Sequence, residues 1–276
     1  MIFNPIKLIC CLAPLSFALL IGCGKTAPDQ QATPKVEPTE ATQTPGMEAA
    51  SKAHDEGRFA DAVRLYTAEL ATEEAKPAPS WVQLSHLNNQ LGLALDNAGQ
   101  YDKALEYYQK DLAILLKQLG PDHPDVALSY NNIGAVYNTK GEYDQALESY
   151  QKSLTIMLKK LGPDHPSVAT SYNNIGSVYQ RTGEHDQALE CYLKAAEQGV
   201  VMCQAMAGRL YAMNPKLKNP IEAIKWYTIA QSNGFSRKMI IKDALTKQMT
   251  PEQIAKAKAL AQEMIKKNPK LIRKKD

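Results

Sequence analysis

The chain has 276 residues, of which 44% are hydrophobic and only 7% aromatic, and its formal net charge is +3. This hydrophobic fraction supports a packed core, and the length is sufficient for two domains of ordinary size. The near-neutral charge gives no indication of binding to nucleic acid or to an acidic substrate.

Residues 1–22 have the pattern of a secretion signal. Lys7 precedes an uncharged run at residues 8–21. The run is shorter than the roughly 20 residues that a membrane-spanning helix needs, and Pro14 interrupts it. It ends in the quartet LIGC, which resembles a bacterial lipobox and implies cleavage before Cys23 and acylation of its thiol. The alternative, a simple secretion signal that happens to end near a cysteine, explains the position of Cys23 less well.

Residues 23–46 are expected to form a lipidated cysteine followed by a disordered tether. After Cys23 the segment contains four prolines, many Thr and Gln, and only one large aliphatic residue, Val36. Such a composition cannot bury a core. By resemblance to the sorting pattern of Gram-negative lipoproteins, Gly24 implies the periplasmic face of the outer membrane. We therefore expect a protein of the bacterial cell envelope that is anchored to the membrane by lipid and does not span it.

Four segments then repeat with a period of 42 residues. Each contains a ten-residue word that begins with glycine: GRFADAVRLY at Gly57, GQYDKALEYY at Gly99, GEYDQALESY at Gly141 and GEHDQALECY at Gly183. A constant period of this length is typical of a solenoid built from stacked helical units.

The spacing within each unit predicts two amphipathic helices joined at the glycine. Apolar residues recur every three or four positions on both sides of it. The glycine is predicted to end the first helix in the left-handed conformation. A small residue on each helix allows close crossing, and an aromatic residue is predicted to fill the space between successive units. The small residues are Ala50, Gly92, Gly134 and Gly176 on first helices and Ala62, Ala104, Ala146 and Ala188 on second helices, and the aromatic residues are Tyr66, Tyr108, Tyr150 and Tyr192.

These positions resemble the tetratricopeptide repeat, and the words LGPDHP and YNNIG resemble its 42-residue kinesin light chain subtype. The resemblance covers residues 47–198 as four repeats, the first of which departs from the pattern as a terminal repeat does. Residues 199–235 resemble one Sel1-like repeat. Residues 236–265 are predicted to be C-terminal capping helices, followed by a basic tail at 266–276. The resemblance implies an all-α fold, a tetratricopeptide/Sel1-like α-solenoid in which helix hairpins form a right-handed superhelix.

The word Gly-Pro-Asp-His-Pro is interpreted as the start of a helix. Its aspartate is predicted to cap the helix and its second proline to occupy the first turn. Its histidine is interpreted as a turn residue and not as a metal ligand. The two copies place these residues at Asp122, His123 and Pro124 and at Asp164, His165 and Pro166. The other histidines have no second ligand at helical spacing, so neither a metal nor another cofactor is expected.

Cys191 and Cys203 are the two cysteines of the predicted folded part. A turn at Gly199 would leave them at heights that differ by roughly 6 Å along their helices. We therefore favour two free thiols, with a disulfide formed in an oxidising periplasm as the alternative.

Binding residues are sought on the first helices, which line the concave side of a tetratricopeptide superhelix. Asparagine offers both a donor and an acceptor, and can bind the backbone of an extended peptide without reading its side chains. The predicted groove residues are Asn89, Asn131, Asn173, Asn138, Gln180 and Arg181. The alternative is that the paired asparagines only join helix to helix. The paired lysines of the carboxylate clamp for chaperone tails are not evident, so an Hsp90-type ligand is not expected.

One word, Ser149-Tyr150-Gln151-Lys152, matches the S-x-x-K pattern of penicillin-recognising enzymes. The residues equivalent to Ser149 in the neighbouring units are Tyr107 and Cys191, neither of which is a serine. The sequence also contains neither an SDN nor a KTG word. A solvated helix face therefore explains the word better. Phosphate-loop and Ser-His-Asp signatures are also absent from the sequence, so we predict a protein that is not an enzyme.

The sequence thus predicts a lipid-anchored envelope scaffold that binds an extended segment of an unidentified partner protein, for instance as an assembly factor. The alternatives are an envelope enzyme or regulator of cell-wall synthesis with a degenerate site, and a spacer without a ligand. Residues 266–276 carry six basic residues against one aspartate. Weak contact of this tail with anionic lipid or the cell wall is one interpretation, and a solvated end is the other.

Overall fold

The computed structural model describes residues 41–235 and 240–272, and its regular secondary structure in these ranges is entirely helical. The predicted secretion signal and Cys23 lie outside the described residues. The helices are α1 (Pro45–Asp55), α2 (Phe59–Glu74), α3 (Trp81–Asn97), α4 (Tyr101–Leu119), α5 (Pro124–Lys140), α6 (Tyr143–Leu161), α7 (Pro166–Thr182), α8 (His185–Glu197), α9 (Val201–Met213), α10 (Pro220–Ser232), α11 (Ile240–Thr246) and α12 (Pro251–Lys267), followed by a 3-10 helix, Pro269–Leu271.

Consecutive helices pair into hairpins, and the hairpins stack in chain order. The pairs are α1 with α2, α3 with α4, α5 with α6, α7 with α8, and α9 with α10. The second helix of each hairpin also contacts the first helix of the next. The prediction of an all-α repeat solenoid is therefore confirmed.

The turns inside the hairpins depend on glycine, as predicted. Gly141 and Gly183 adopt the left-handed conformation directly after α5 and α7, with φ values of 81° and 85°. A Cβ atom added to either would meet nothing within 4 Å. The requirement for glycine thus comes from the backbone conformation and not from lack of space.

The crossing of the two helices depends on glycine for a different reason. A Cβ atom on Gly134 would lie 2.8 Å from Cδ1 of Tyr150, and one on Gly92 would lie 2.8 Å from Cδ1 of Tyr108. The aromatic ring therefore lies on the glycine of its own hairpin. Tyr150 also shares a buried cluster with Val178 of the following hairpin, so the ring joins the two helices of one unit as well as neighbouring units.

The predicted aspartate caps of α5 and α7 are wrong. The capping residue of α5 is His123, whose Nδ1 accepts the backbone N–H of Asp125 at 3.2 Å. His123 precedes a proline, which favours the extended conformation that a capping residue needs, so the cap lies one position later than predicted. Asp122 instead bonds Lys159 at 2.5 Å. The equivalent residues at α7 are the cap His165 and Asp164, which pairs with Lys270 at 2.7 Å.

The N-terminal boundary of the fold lies earlier than the predicted end of the tether. The first helix begins at Pro45, and Oγ1 of Thr44 accepts the N–H of Met47 at 3.1 Å. Nε2 of Gln83, on α3, donates to the carbonyl of Thr42 at 3.0 Å. Residues 42–46 are therefore part of the fold.

The C-terminal helices cover the last hairpin. Thr250 and Gln253 form a capping box at the start of α12. Helix α12 packs on α10 and buries Ala257 and Ala261 completely.

The start of the predicted basic tail also belongs to the packed structure. Leu271 is fully buried, and its carbonyl accepts Nε2 of the buried Gln204 at 2.9 Å. Nδ2 of Asn268 donates to the carbonyl of Glu197 at 2.9 Å. A Cβ atom on Gly199 would lie against the carbonyl oxygen of Lys270, so the segment fits closely onto the turn between α8 and α9. The prediction of a tail from residue 266 is corrected for residues 266–272, whereas residues 273–276 lie outside the described part.

Candidate functional site

The predicted groove residues lie on the first helices of the hairpins. We call the surface formed by α3, α5, α7 and α9 the first-helix face. Asn89 is on α3, Asn131 and Asn138 are on α5, and Asn173, Gln180 and Arg181 are on α7. Residues spaced by 42 positions recur in equivalent places, which arranges these side chains in columns across the face.

Hydrogen bonds between asparagines connect neighbouring hairpins on this face. Nδ2 of Asn174 donates to Oδ1 of Asn131 at 2.8 Å. Nδ2 of Asn173 donates to Oδ1 of Asn174 at 3.3 Å, and Sγ of Cys203 donates to Oδ1 of Asn173 at 3.1 Å. This chain of bonds runs from α5 through α7 to α9. The asparagines therefore join helix to helix, and a role in binding a ligand as well stays a prediction.

Asn131 keeps a free hydrogen-bonding group despite these contacts. Its Nδ2 has no partner among residues 41–235 and 240–272. Oδ1 of Asn138, on the same helix, also lacks a partner in that part of the chain, but this atom is buried and the Asn138 side chain interacts with Tyr150. One donor on α5, that of Asn131, is thus available to a ligand.

A buried acid, which the sequence analysis missed, organises the α3 end of the face. Asp111 on α4 is 1% exposed and accepts hydrogen bonds from Ser85, Ser129 and Asn89, so it connects α3, α4 and α5. Burial raises the pKa of the Asp111 carboxyl. Its spacing from Tyr108, three residues earlier on the buried side of α4, is the signal that could have found it.

A concavity of the face lies where α7, α8 and α9 meet. This α7–α9 cleft has a volume of about 400 Å³. Its lining consists of Asn173, Ser177, Gln180, Arg181, Tyr192, Met202, Met206 and Arg209. The structure thus brings together three of the six predicted groove residues, while Asn89, Asn131 and Asn138 lie elsewhere on the face. Met202, Met206 and Arg209 belong to the hairpin after the 42-residue period ends, so the repeat pattern did not reveal them.

The α7–α9 cleft is basic and partly apolar. Arg181 and Arg209 are exposed, and neither forms an ion pair or hydrogen bond with any residue that the structure describes. Gln180 accepts the hydroxyl of Tyr192 at 2.7 Å, which fixes both side chains at the side of the cleft. Met202 is 47% exposed and supplies apolar surface. The cleft therefore offers cationic donors next to a flexible thioether.

The charge of the face changes along the stack. Asp96 on α3 occupies the column that continues as Asn138 and Gln180. Burial raises the pKa of Asp96, and this carboxyl has no ion-pair partner within the described ranges. One end of the face thus carries an acid, and the other carries Arg181 and Arg209.

The two cysteines near the cleft are free thiols in the structure, as predicted. Burial raises the pKa of Cys191 to about 11 and that of Cys203 to about 12. Both are therefore protonated at neutral pH and are poor nucleophiles.

The serine and lysine side chains of the S-x-x-K word bond to other residues of α6. Oγ of Ser149 donates to the carbonyl of Gln145 at 2.8 Å, and Nζ of Lys152 pairs with Glu148 at 2.7 Å. Within the described ranges, no group of three or more His, Cys, Asp or Glu side chains is placed to hold a metal ion. A search of the same residues for helices with the length and hydropathy needed to span a membrane found none.

The stacked hairpins define a helical-repeat protein with a cleft on its first-helix face. More specifically, residues 82–159 and 126–198 match the family model of the tetratricopeptide repeat. Residues 82–198 therefore carry tetratricopeptide repeats. No curated protein sequence matches this chain.

Solved structures show the same fold. A Podosopora anserina protein with nearly identical TPR-like repeats of the kinesin light chain kind is 23% identical, with a TM-score of 0.58 over 69% of this chain and 95% of that one. BtubC (BKLC) from P. vanneervenii is 20% identical, with a TM-score of 0.50 over 79% of this chain and 76% of that one. The Rap conjugation gene regulator of plasmid pLS20, solved in complex with the Phr* peptide, is 13% identical, with a TM-score of 0.53 over 83% and 76% of the two chains.

Proposed function

We propose that the protein is a scaffold that binds an extended segment of a partner protein on its first-helix face. The observation that carries this proposal is the α7–α9 cleft, which combines unpaired cationic side chains with exposed apolar surface. Tetratricopeptide repeats generally mediate protein–protein interaction, and solenoids offer extended surfaces for it.

An extended peptide fits the remaining features better than a compact small molecule does. The unpaired Nδ2 of Asn131 lies on α5, one hairpin away from the cleft on α7 and α9. Neighbouring helices pack about 8–10 Å apart, so this donor and the cleft match two points along a chain of several residues. The pLS20 regulator, which shares the fold, is itself in complex with a peptide.

The proposal places the scaffold at a bacterial membrane, on the periplasmic face of the outer membrane. The support is the LIGC quartet that ends at Cys23 and the uncharged run before it. Acyl chains contribute about 0.8 kcal/mol per buried CH₂, so a multiply acylated Cys23 would hold the protein firmly. The proposed partner would then lie close to the membrane. The helical hairpin α9–α10 is proposed to be the Sel1-like repeat.

Site-specific photocrosslinking in the native envelope tests the binding face. A photoreactive amino acid is placed at Met202 in the cleft, at Thr139 on α5 and, as a control, at the exposed Gln109 on the second helix α4. We expect the same partner to be captured from Met202 and Thr139 and not from Gln109. Equal capture from all three positions, or capture from Gln109 alone, would contradict binding on the first-helix face.

Replacement of the proposed lipid site tests the anchor separately. We expect Cys23→Ala to move the protein from the membrane fraction to the soluble fraction, and Cys191→Ala, as the matched control, to leave it in the membrane fraction. Persistence of Cys23→Ala in the membrane fraction would argue against lipid anchoring without affecting the proposal for the binding face.

A further inference from the structure

The α7–α9 cleft has a distinctive set of lining residues. Two of its eight lining residues are arginines, and none is Asp or Glu. Neither Arg181 nor Arg209 has a carboxylate partner anywhere in the described chain. The other two arginines that the structure describes, Arg58 and Arg64, both form ion pairs with acidic side chains. Arg181 and Arg209 differ from them in lacking such a partner.

We infer that this cleft binds a carboxylate group of the partner segment together with an apolar side chain next to it. This inference rests on the proposed function, because it specifies what the segment contributes at one point of the face. Guanidinium groups bind carboxylates through paired, charge-assisted hydrogen bonds. Arg181 and Arg209 come from different helices, α7 and α9, so they can approach one carboxylate from two sides.

The apolar part of the ligand is indicated by the methionines. Met202 is 47% exposed, although most large apolar side chains of the described stack are buried. Met206 lies four residues later on the same helix and is half-buried against the cluster that contains Tyr192. Methionine adapts its shape to different apolar partners, and exposed apolar surface bordered by charge is typical of a protein interaction site.

The carboxylate can come from an Asp or Glu side chain or from the C-terminus of the partner. Both sources present the same planar pair of oxygens to the arginines. The experiment includes a separate arm for each source.

A peptide array read with the purified full chain in detergent micelles tests the inference. The probes are nine-residue peptides in which every position is varied, prepared with amidated and with free C-termini. We expect peptides with Asp or Glu beside Leu, Met or Phe to be selected in the amidated set if the side chain is the source. Selection restricted to free C-termini would identify the terminal carboxylate. Binding should weaken as salt is raised, because the arginines are exposed.

Variants separate the role of charge from the role of fold. For a selected peptide we expect Arg181→Gln and Arg209→Gln each to raise Kd about tenfold, in line with the loss of a charge-assisted contact. Arg64→Gln, on the second helix α2, should leave Kd unchanged. Met202→Gln should relax the preference for an apolar neighbour and keep the preference for the acid.

Charge reversal gives a result that a purely structural role would not. The double variant Arg181→Glu, Arg209→Glu, shown by circular dichroism to be folded, should select Lys or Arg in place of Asp or Glu. Selection of peptides without any acidic preference by the native protein would overturn the inference and leave the proposed function standing. Failure of the photocrosslinks at Met202 and Thr139 would instead remove the proposed function itself.

Discussion

Asp111 shows how a single buried acid can connect three helices. Its carboxylate lies at 1% exposure between Ser85 on α3 and Ser129 on α5, both of which donate hydrogen bonds to it. The equivalent position in the next unit is Ser153, so the acid is specific to this part of the stack. A buried carboxylate is tolerated only when such donors satisfy it.

We therefore expect Asp111→Ala to lower the free energy of unfolding by about 2–3 kcal/mol, because it leaves several buried donors without an acceptor. Asp111→Ser introduces the residue found at this position in the next unit and keeps one acceptor. It should therefore lower the free energy of unfolding by less than Asp111→Ala does. Chemical denaturation of the full chain measures both. Equal stability of the alanine variant and the native protein would show that water replaces the carboxylate.

The pH dependence of stability gives a second prediction for Asp111. Burial raises its pKa in the folded protein above the value in the unfolded chain, so the folded state holds the proton more strongly. Its contribution to stability is then present below the unfolded pKa and is lost as pH rises through the raised folded pKa. We expect the stability of the native protein relative to Asp111→Asn to fall between acidic and neutral pH. A relative stability that rises with pH over this interval would contradict the raised pKa.

Individual capping residues were less predictable than the repeat itself. The sequence predicted a helix start at Pro124, and α5 begins there. The choice between Asp122 and His123 as the cap depends on which residue takes the extended conformation, and the preference is set by the following proline. Aspartate is the commoner cap, so a rule based on residue type alone assigned it wrongly.

At the scale of the helical elements, two glycines of the same unit are needed for different physical reasons. Gly134 provides room for the Tyr150 ring at the helix crossing, whereas Gly141 provides a left-handed backbone in an open turn. The sequence predicted both roles, because the period of 42 residues places a small residue and a turn glycine at fixed offsets in every unit.

We expect Gly134→Ala and Gly141→Ala each to destabilise the protein by about 1–3 kcal/mol, the first through overpacking and the second through backbone strain. Adding Tyr150→Leu should partly relieve the crowding caused by Gly134→Ala and should not relieve the strain of Gly141→Ala. A double-mutant cycle from denaturation midpoints measures this coupling. Equal coupling of Tyr150 to both glycines would contradict the two separate mechanisms.

The limits of the folded region could not be predicted from local pattern. The Pro-rich composition before Gly46 and the lysines after residue 266 both suggested solvated chain. The structure includes residues 42–46 and 266–272 because of distant contacts, such as Gln83 with Thr42 and Gln204 with Leu271. Such contacts between residues far apart in sequence leave no periodic signal. The same reason explains why only part of the α7–α9 cleft was found, since its α9 side follows a different repeat length.

At the scale of the whole described chain, the C-terminal segment makes an independent contribution to stability. Leu271 is buried in a cluster that also contains Ala195, Ala196 and Trp226, which ties the end of the chain to α8 and α10. The carbonyl of the same residue satisfies the buried amide of Gln204.

We expect Leu271→Ala to reduce the free energy of unfolding by about 2–4 kcal/mol through loss of burial and creation of a cavity. Lys270→Gln removes the exposed ion pair with Asp164 and should have little effect. Thermal unfolding of the two full-length variants makes the comparison. A larger loss for Lys270→Gln than for Leu271→Ala would mean that charge, and not burial, holds the segment in place.

The position of the C-terminal segment also determines the length of the stack. A solenoid ends in a surface shaped to accept one more hairpin, and an uncovered surface of this kind invites another copy to add head to tail. At α10 the chain covers that surface with its own α12 and Leu271. This cover opposes elongation into a filament at this end, so that the first-helix face has the same finite length in every copy.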